Sequence, residues 1–229
     1  MKIIKTVLFK TLLFYFLIIL FFSGITSFFV APTSTKSEKL TVVIDAGHGG
    51  IDGGASGVTT SVKESDINLL IANQLKEIFL ENGFIVIMTR SEDVGLYGTT
   101  EPGFKKRDLA KRVEIINESK ADVAISIHQN VYTSQSRRGA QAFFSKDNKE
   151  SETLAKQIQS RINGMSSSPR ISNALKGDYY LLNESKIPTA IVECGFLSNP
   201  SDEKLLLTKE YRIQISNAIF GGCLAYLAS

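Results

Sequence analysis

The chain has 229 residues, of which 43% are hydrophobic and 21% are charged, so it is long enough for one ordinary domain and is not wholly disordered. The formal net charge is +3, and Lys2, Lys5 and Lys10 account for all of it, because the 26 basic residues minus these three equal the 23 acidic ones. The rest of the chain is formally neutral. A neutral domain has no basic field to attract nucleic acid, so we predict no nucleic-acid binding.

The N-terminal segment predicts a membrane anchor. Residues 11–35 contain no charged residue and are largely Leu, Phe, Ile and Val. A run of about 20 apolar residues is long enough to span a bilayer as a helix, and the preceding lysines place the N-terminus in the cytoplasm. Cleavage after Ala31 or Ser27, which would give a secreted protein, stays open. The predicted cytoplasmic tail, signal anchor, linker and extracytoplasmic domain are residues 1–10, 11–31, 32–39 and 40–229.

Beyond the linker, β-branched apolar runs alternate with segments of helical periodicity. The predicted strands are residues 40–44, 84–88, 123–127, 139–144 and 189–192. The predicted helices are residues 65–81, 107–118, 151–163, 201–207 and 210–227, and residues 164–177 are a predicted loop. Strands that are nearly all apolar and alternate with helices indicate a sheet covered on both faces. We therefore predict a single α/β domain with a twisted, mainly parallel sheet, in which Cys194 and Cys223 are free buried thiols.

The chain contains only two histidines, and each follows a predicted strand. His48 comes after the first strand and His128 after residues 123–127. Sites in α/β sheets form at the carboxyl ends of the strands, so both imidazoles are expected at one crevice. One histidine at a strand end is usually structural, but two together favour a metal site or a catalytic pair.

Two carboxylates complete the candidate site. Glu64 lies where the glycine-rich loop of residues 47–57 enters the first helix, and two histidines with one glutamate form a known catalytic zinc set. The simpler role of Glu64 is to oppose the helix dipole. Glu193 follows residues 189–192 and is either a general acid or base or a solvated rim residue. The glycines match no phosphate-binding motif, so close packing around a metal is the better explanation for them.

Substrate contacts are harder to assign from the sequence. Arg107, Arg112, Arg137 and Arg138 could each meet a substrate carboxylate, although surface arginines usually have no specific partner. We predict substrate contacts for Arg112 and Asn130.

Four ordered blocks of this sequence resemble a known family. They are VVIDAGHGG with DGGA, KE, SIHQN and VECGFLSN, at residues 42–50 with 52–55, 63–64, 126–130 and 192–199. Over about residues 40–227 the chain resembles the zinc-dependent N-acetylmuramoyl-L-alanine amidases of type 3. The resemblance implies Zn²⁺ bound by His48, Glu64 and His128, with Glu193 as the catalytic carboxylate that moves the proton during amide hydrolysis. Gln129 and Val131 depart from the smaller residues common after the second histidine, which bears on substrate fit.

Within the family, the apolar N-terminus, the lack of a wall-binding repeat and the sequence YYLL at residues 179–182 resemble the spore-cortex branch. That branch removes stem peptides from muramic acid before muramic-δ-lactam forms. The resemblance implies peptidoglycan as the substrate, and the predicted anchor places the domain on the cell-wall side or in the forespore intermembrane space. An enzyme that stays inactive until a protein partner orders its site is an open variant, which the neutral domain and the predicted loop 164–177 permit. The alternatives are a zinc peptidase acting on stem peptides and a non-catalytic wall-binding module.

Overall fold

The computed structural model describes residues 9–19 and 39–229. Residues 9–19 are helical, and no helix among the described residues is long and apolar enough to cross a membrane. The predicted anchor continues over residues 20–31, which lie outside the described residues, as do most of the predicted tail and linker. The residues Lys39–Ser229 form one compact unit.

This unit contains one six-stranded mixed sheet in the order β2-β1-β3-β6-β4-β5. Strands β1, β2, β3 and β6 are mutually parallel, whereas β4 runs antiparallel to β6 and β5 is parallel to β4. The strands β1 to β6 are Thr41–Ala46, Ile85–Met88, Val123–Asn130, Gln141–Phe144, Leu175–Lys176 and Thr189–Phe196. The sheet is therefore parallel through its first four positions and reverses direction at β4.

Helices cover both faces of the sheet. The helices α1 to α6 are Glu64–Glu81, Phe104–Glu118, Lys149–Asn163, Tyr180–Glu184, Pro200–Leu206 and Lys209–Leu227. On one face α1, α3 and α6 bury the larger apolar core, which contains Phe79, Ile158 and Ile219. On the other face α2 and α4 bury a smaller core that contains Val113 and Leu181. Burial of these apolar side chains is the main stabilising contribution, about 25 cal/mol per Å² of apolar surface removed from water.

The single α/β domain predicted from the sequence is confirmed, with local corrections. Helix α1 ends at Glu81, and Gly83 follows with a φ of 82°, a conformation that glycine adopts without strain. Helix α2 begins at Phe104, three residues before the predicted start. The predicted loop 164–177 contains β5, and α4 was not predicted at all, because two-residue and five-residue elements carry no readable periodicity. Cys194 and Cys223 are both free and buried, as predicted.

The sheet order places the candidate residues side by side. In the register of β3 and β6, His128 lies opposite Glu193, and β1 lies on the other side of β3. Both His128 and Glu193 lie within their strands, not after them as the sequence suggested, because β3 and β6 continue pairing up to Asn130 and Phe196. The carboxyl ends of the central parallel strands thus meet at one crevice, where sites of α/β sheets form.

Candidate active site

Three predicted ligands converge at this crevice. One ligand atom from each of His48, Glu64 and His128 lies within 4.8 Å of the other two. Glu64 Oε1 is 2.9 Å from His128 Nδ1 and 3.3 Å from His48 Nε2. The two imidazole rings meet edge to face with their centroids 5.0 Å apart. Two nitrogens and one carboxylate oxygen around a small space are the donor set of a catalytic zinc site with an open position.

The glycine-rich loop makes this convergence possible. A Cβ at Gly47 would lie 2.2 Å from Cε1 and Nε2 of His128, and one at Gly54 would lie 2.6 Å from Glu64 Oε2. Any larger residue at these positions would displace a predicted ligand. His48 itself has a φ of 60°, which costs a non-glycine residue of this kind about 1–3 kcal/mol and recurs at functional sites. The loop is therefore shaped around the cluster, as its glycines suggested.

Glu64 is held as a carboxylate by its surroundings. Its Oε2 accepts the Ala55 N–H at 2.9 Å, and its Oε1 accepts the Gln129 N–H at 3.1 Å. Burial alone would raise the pKa of Glu64, but hydrogen bonds and positive charge from His128 and His48 keep that pKa far below its usual range. A side chain that only opposed the α1 dipole would point to solvent, whereas Glu64 is 4% exposed.

Asp52 fixes the orientation of His48. Its Oδ2 lies 2.8 Å from His48 Nδ1, which leaves His48 Nε2 facing Glu64. Its Oδ1 pairs with Lys105 Nζ at 3.0 Å. Partial burial lowers the pKa of His48, but the hydrogen bonds and charges of Glu64 and Asp52 outweigh burial and raise that pKa to about 9. A carboxylate behind a ligating histidine is the usual second partner of metal sites, because it selects the tautomer.

Glu193 stands beside the cluster with an unused acceptor. It is 8% exposed, and its Oε2 is buried with no hydrogen-bond partner among the described residues. Burial raises the pKa of Glu193, the charge of His128 opposes this and that of Glu64 adds to it, with a result of about 7. A buried carboxyl oxygen without a partner is unfavourable in a purely structural role. The solvated rim position that the sequence also allowed is not where Glu193 lies.

A cavity of about 190 Å³ opens next to the two histidines. Its apolar wall is formed by Leu109, Tyr179, Tyr180, Leu181 and Ile191. The Tyr179 ring packs edge to face on Phe143, with centroids 5.5 Å apart, which holds the ring in place. The site therefore combines a convergent polar cluster with an apolar wall, as small-molecule sites generally do.

Comparison with known proteins decides the family. The profile described as N-acetylmuramoyl-L-alanine amidase matches residues 42–225, which is most of the chain and includes all four residues of the candidate site. The chain belongs to the N-acetylmuramoyl-L-alanine amidase family. Among its relatives is the germination-specific N-acetylmuramoyl-L-alanine amidase of Bacillus subtilis, which is 37% identical over 199 residues, 85% of this chain and 83% of that protein.

Solved structures of the family have the same fold. The CwlD amidase from Clostridioides difficile, solved in complex with the GerS lipoprotein, superposes with a TM-score of 0.77 and 38% identity over 83% of this chain and 99% of that one. An N-acetylmuramoyl-L-alanine amidase from Clostridium difficile 630 gives a TM-score of 0.76 and 32% identity over 84% of this chain and 99% of that one. The α/β architecture of this chain is therefore that of the amidase family.

Arg112 has a different position in this amidase from the one that the sequence suggested. Its side chain is 2% exposed and pairs with Asp45 Oδ1 and Asp108 Oδ2, each at 2.6 Å. It also donates to the carbonyls of Ala46 and His48, each at 2.7 Å. All three guanidinium nitrogens are engaged, so the geometry favours a role in supporting the end of β1 over contact with substrate. Sequence spacing could not reveal this, because Arg112 and Asp45 are 67 positions apart.

The other residues considered for substrate contacts are three arginines and Asn130. Arg107 donates to four backbone carbonyls between positions 97 and 102. Arg137 lies 4.5 Å above the Tyr132 ring, and Arg138 pairs with Asp202 at 3.4 Å. Each of these arginines thus has a partner within the protein. Asn130 is the last residue of β3, and its carbonyl accepts the Leu197 N–H; its substrate contact stays a prediction.

Sequence analysis assigned no site role to Asp52, Asn68, Lys105 or Tyr179, although Asp52 and Tyr179 lie in the blocks that carry the family resemblance. The Asn68 amide donates to the Gly47 carbonyl at 3.1 Å and lies 3.4 Å from Glu64 Oε1, so it braces the loop and the carboxylate together. A signal existed for Asp52, an acid four residues after His48 inside a glycine-rich loop. The other three meet the amidase site only through tertiary contacts.

Proposed function

We propose that this chain is a zinc-dependent hydrolase that cleaves the amide bond between the lactyl group of N-acetylmuramic acid and the L-alanine of the stem peptide. One observation carries the proposal: the ligand atoms of His48, Glu64 and His128 lie within 4.8 Å of one another, and Glu193 stands beside them with an unpartnered oxygen. In a chain of the amidase family, this arrangement supplies a metal site and a proton carrier at the same crevice.

Each of these residues has a distinct task. His48, Glu64 and His128 would hold the zinc ion, and Asp52 would keep His48 in the ligating tautomer. When bound, Zn²⁺ supplies a Lewis acid that lowers the pKa of water and polarises a carbonyl group. Glu193 accepts the proton of the attacking water and returns it to the nitrogen of the departing L-alanine. The hydrolysis is then balanced: the lactyl carbonyl carbon gains the hydroxyl, and the amine gains the proton.

We propose the spore cortex as the setting of this reaction. The similarity to the germination-specific amidase of Bacillus subtilis supports it, as does the similarity to the CwlD amidase. Because the latter structure holds its amidase together with the GerS lipoprotein, we propose an activating protein partner for this chain as well. The product would be muramic acid with a free lactyl carboxyl group, which is the precursor that lactam formation requires.

The proposed location rests on the sequence of the N-terminus. An apolar segment over residues 11–31 after three lysines supports a membrane anchor, with residues 40–229 on the cell-wall side or in the forespore intermembrane space. Fractionation combined with protease accessibility tests this: we expect the intact chain in the membrane fraction, with its domain accessible from outside. A shortened chain in the soluble fraction would show instead that the segment is cleaved.

Product analysis tests the reaction itself. Full-length zinc-loaded protein is incubated with peptidoglycan, and mass spectrometry is expected to find free stem peptides beginning with L-alanine and glycans with free lactyl groups. A zinc peptidase would leave shortened stems on the glycan, and a binding module would leave the polymer unchanged. For the metal, Glu64→Ala is expected to weaken zinc affinity more than about 100-fold, beyond the range seen for outer-sphere residues. Stoichiometric zinc at unchanged affinity would mean that the ligand assignment is wrong.

A further inference from the structure

The crevice next to the predicted metal ligands contains a lysine, Lys105, whose ammonium group has N–H donors without a described partner. Besides the two histidines, two basic side chains line this crevice, Arg112 and Lys105. Arg112 uses four of its five N–H donors on two carboxylates and two carbonyls, and its side chain is 2% exposed. Lys105 is different: its side chain is 64% exposed, and it pairs only with Asp52 Oδ1 among the described residues. An ammonium group has three N–H donors, so two remain for a ligand.

The position of Lys105 is set by the fold. It lies in the first turn of α2. Arg112 of the same helix pairs with Asp108 and anchors the helix to Asp45 at the end of β1. Its Nζ is 3.0 Å from Asp52, and Asp52 contacts His48 on its other oxygen. The ammonium group is thus one side chain away from a predicted zinc ligand, and it lines the same cavity as His48. Lys105 therefore offers its ammonium group both to this cavity and to solvent.

The proposed substrate offers a matching group. The stem peptide continues from L-alanine to a glutamate linked through its side-chain carboxyl, which leaves an α-carboxylate close to the scissile amide unless that group is amidated. Resting on the proposed function, we propose that Lys105 binds this carboxylate and so determines whether free or amidated stems are preferred. This gives Lys105 the substrate contact that the sequence assigned to Arg112.

A second role for Lys105 has to be separated from this one. Lys105 pairs with Asp52, and Asp52 in turn orients His48. Replacing Lys105 could therefore change zinc binding through Asp52, without any contact between Lys105 and the substrate. A contact with the substrate carboxylate affects only substrates that carry the carboxylate. A positioning role affects all substrates equally and changes the zinc affinity. Two substrates and a zinc measurement therefore distinguish the two roles.

The experiment compares full-length wild type, Lys105→Gln and Lys106→Gln, all zinc-loaded. Lys106 is the matched control, because it is an exposed lysine on the same helical turn that does not line the crevice. The substrates are two soluble muropeptides that differ only in a free α-carboxylate or a carboxamide on the second stem residue. Rates give kcat/KM, and equilibrium binding of both muropeptides to the same three proteins in the Glu193→Gln background is measured by calorimetry.

We expect Lys105→Gln to lower kcat/KM for the carboxylate substrate by about threefold to thirtyfold, between the effect of an exposed ion pair and that of a charged hydrogen bond. The loss should appear in KM, shrink at high salt and stay below about twofold for the carboxamide substrate. Zinc affinity should be unchanged, and Lys106→Gln should behave as wild type. Equal losses on both substrates, weakened zinc binding, or no loss at all would each overturn the proposal. If wild type cleaves neither muropeptide, calorimetry alone decides on Lys105, because binding to the Glu193→Gln proteins does not depend on turnover. The proposed function is then judged separately, from the products formed on peptidoglycan.

Discussion

Two buried polar clusters lie at the carboxyl end of β1, and they differ in how completely their atoms are paired. In the first, Asp45 accepts hydrogen bonds from Arg112, Thr89 and Ser126, and Arg112 uses four of its five N–H donors within the protein. In the second, the ligand atoms around Glu64 converge on a small space beside an unpartnered oxygen of Glu193. The first cluster is closed, and the second has capacity left for a ligand.

This difference separates a structural role from a chemical one. A closed buried network leaves no polar group to react, and breaking it mainly destabilises the fold. An open cluster costs folding free energy, because some of its buried polar atoms have no partner. It persists only where the surrounding structure holds it in place. Here the closed cluster does that holding, since Arg112 donates directly to the carbonyl of His48. Substitutions in the two clusters should therefore affect different measurements.

The largest expected effect is on catalysis. Glu193→Gln preserves shape but cannot accept and return a proton, so we expect amidase turnover to fall by about 10²- to 10⁴-fold with the zinc content unchanged. Turnover on peptidoglycan and metal analysis of the same sample are the measurements, with the exposed Glu184→Gln as the control. If Glu193→Gln loses zinc, Glu193 is a metal ligand and the proposed assignment of its role is wrong.

Next in size is an effect on stability. Arg112→Met removes the cation from two buried carboxylates, and removing one partner of a buried pair costs about 3–5 kcal/mol. Urea unfolding of the zinc-free protein should show this loss, whereas Arg170→Met, at an exposed position, should change the free energy of unfolding by less than about 0.5 kcal/mol. Adding Asp45→Asn to Arg112→Met should recover part of the loss. If Arg112→Met is as stable as Arg170→Met, the closed cluster does not support the fold.

Asp52→Asn acts on the open cluster without touching the zinc directly. An amide at this position orients His48 less strongly than a carboxylate, so we expect zinc affinity to fall by about 10- to 100-fold while stability without metal changes little. Competition with a chromogenic chelator measures the affinity, and Asp66→Asn on the exposed face of α1 is the control. If Asp52→Asn and Asp66→Asn bind zinc with equal affinity, Asp52 does not support the metal site.

The smallest effect is a dependence of stability on acid pH. Burial alone would raise the pKa of Asp45, but Arg112, Ser126 and Thr89 lower it to about 2 from its ordinary 3.8. The stabilising contribution of this carboxylate is therefore complete above pH 3.8 and is lost as the pH falls through about 2, an effect of about 2 kcal/mol. Between pH 5 and pH 2, in EDTA, the free energy of unfolding of wild type should fall by that much more than that of Asp45→Asn. Parallel curves for the two proteins would contradict the assignment.

The sequence was most informative where a signal was local. Runs of β-branched residues predicted β1, β3 and β6, and the scarcity of histidine identified His48 and His128. It was least informative where the signal depends on tertiary contacts. The pair of Lys105 with Asp52 and the burial of Arg112 arise only when α2 packs beside the loop after β1. The reversal of β4 was also unpredicted, since a four-residue apolar run carries no information on direction.

The strand order also has a consequence for when during biosynthesis the site is complete. Strand β6 lies between β3 and β4, although it comes after both in the chain. A nascent chain exposed up to residue 188 already carries His48, Glu64 and His128, yet it lacks Glu193 and the strand that joins β4 and β5 to the rest of the sheet. Such an intermediate could collect the ligands of a metal but not the proton carrier. The proton carrier and the strand that unites the two parts of the sheet therefore arrive together, as the last strand of the chain.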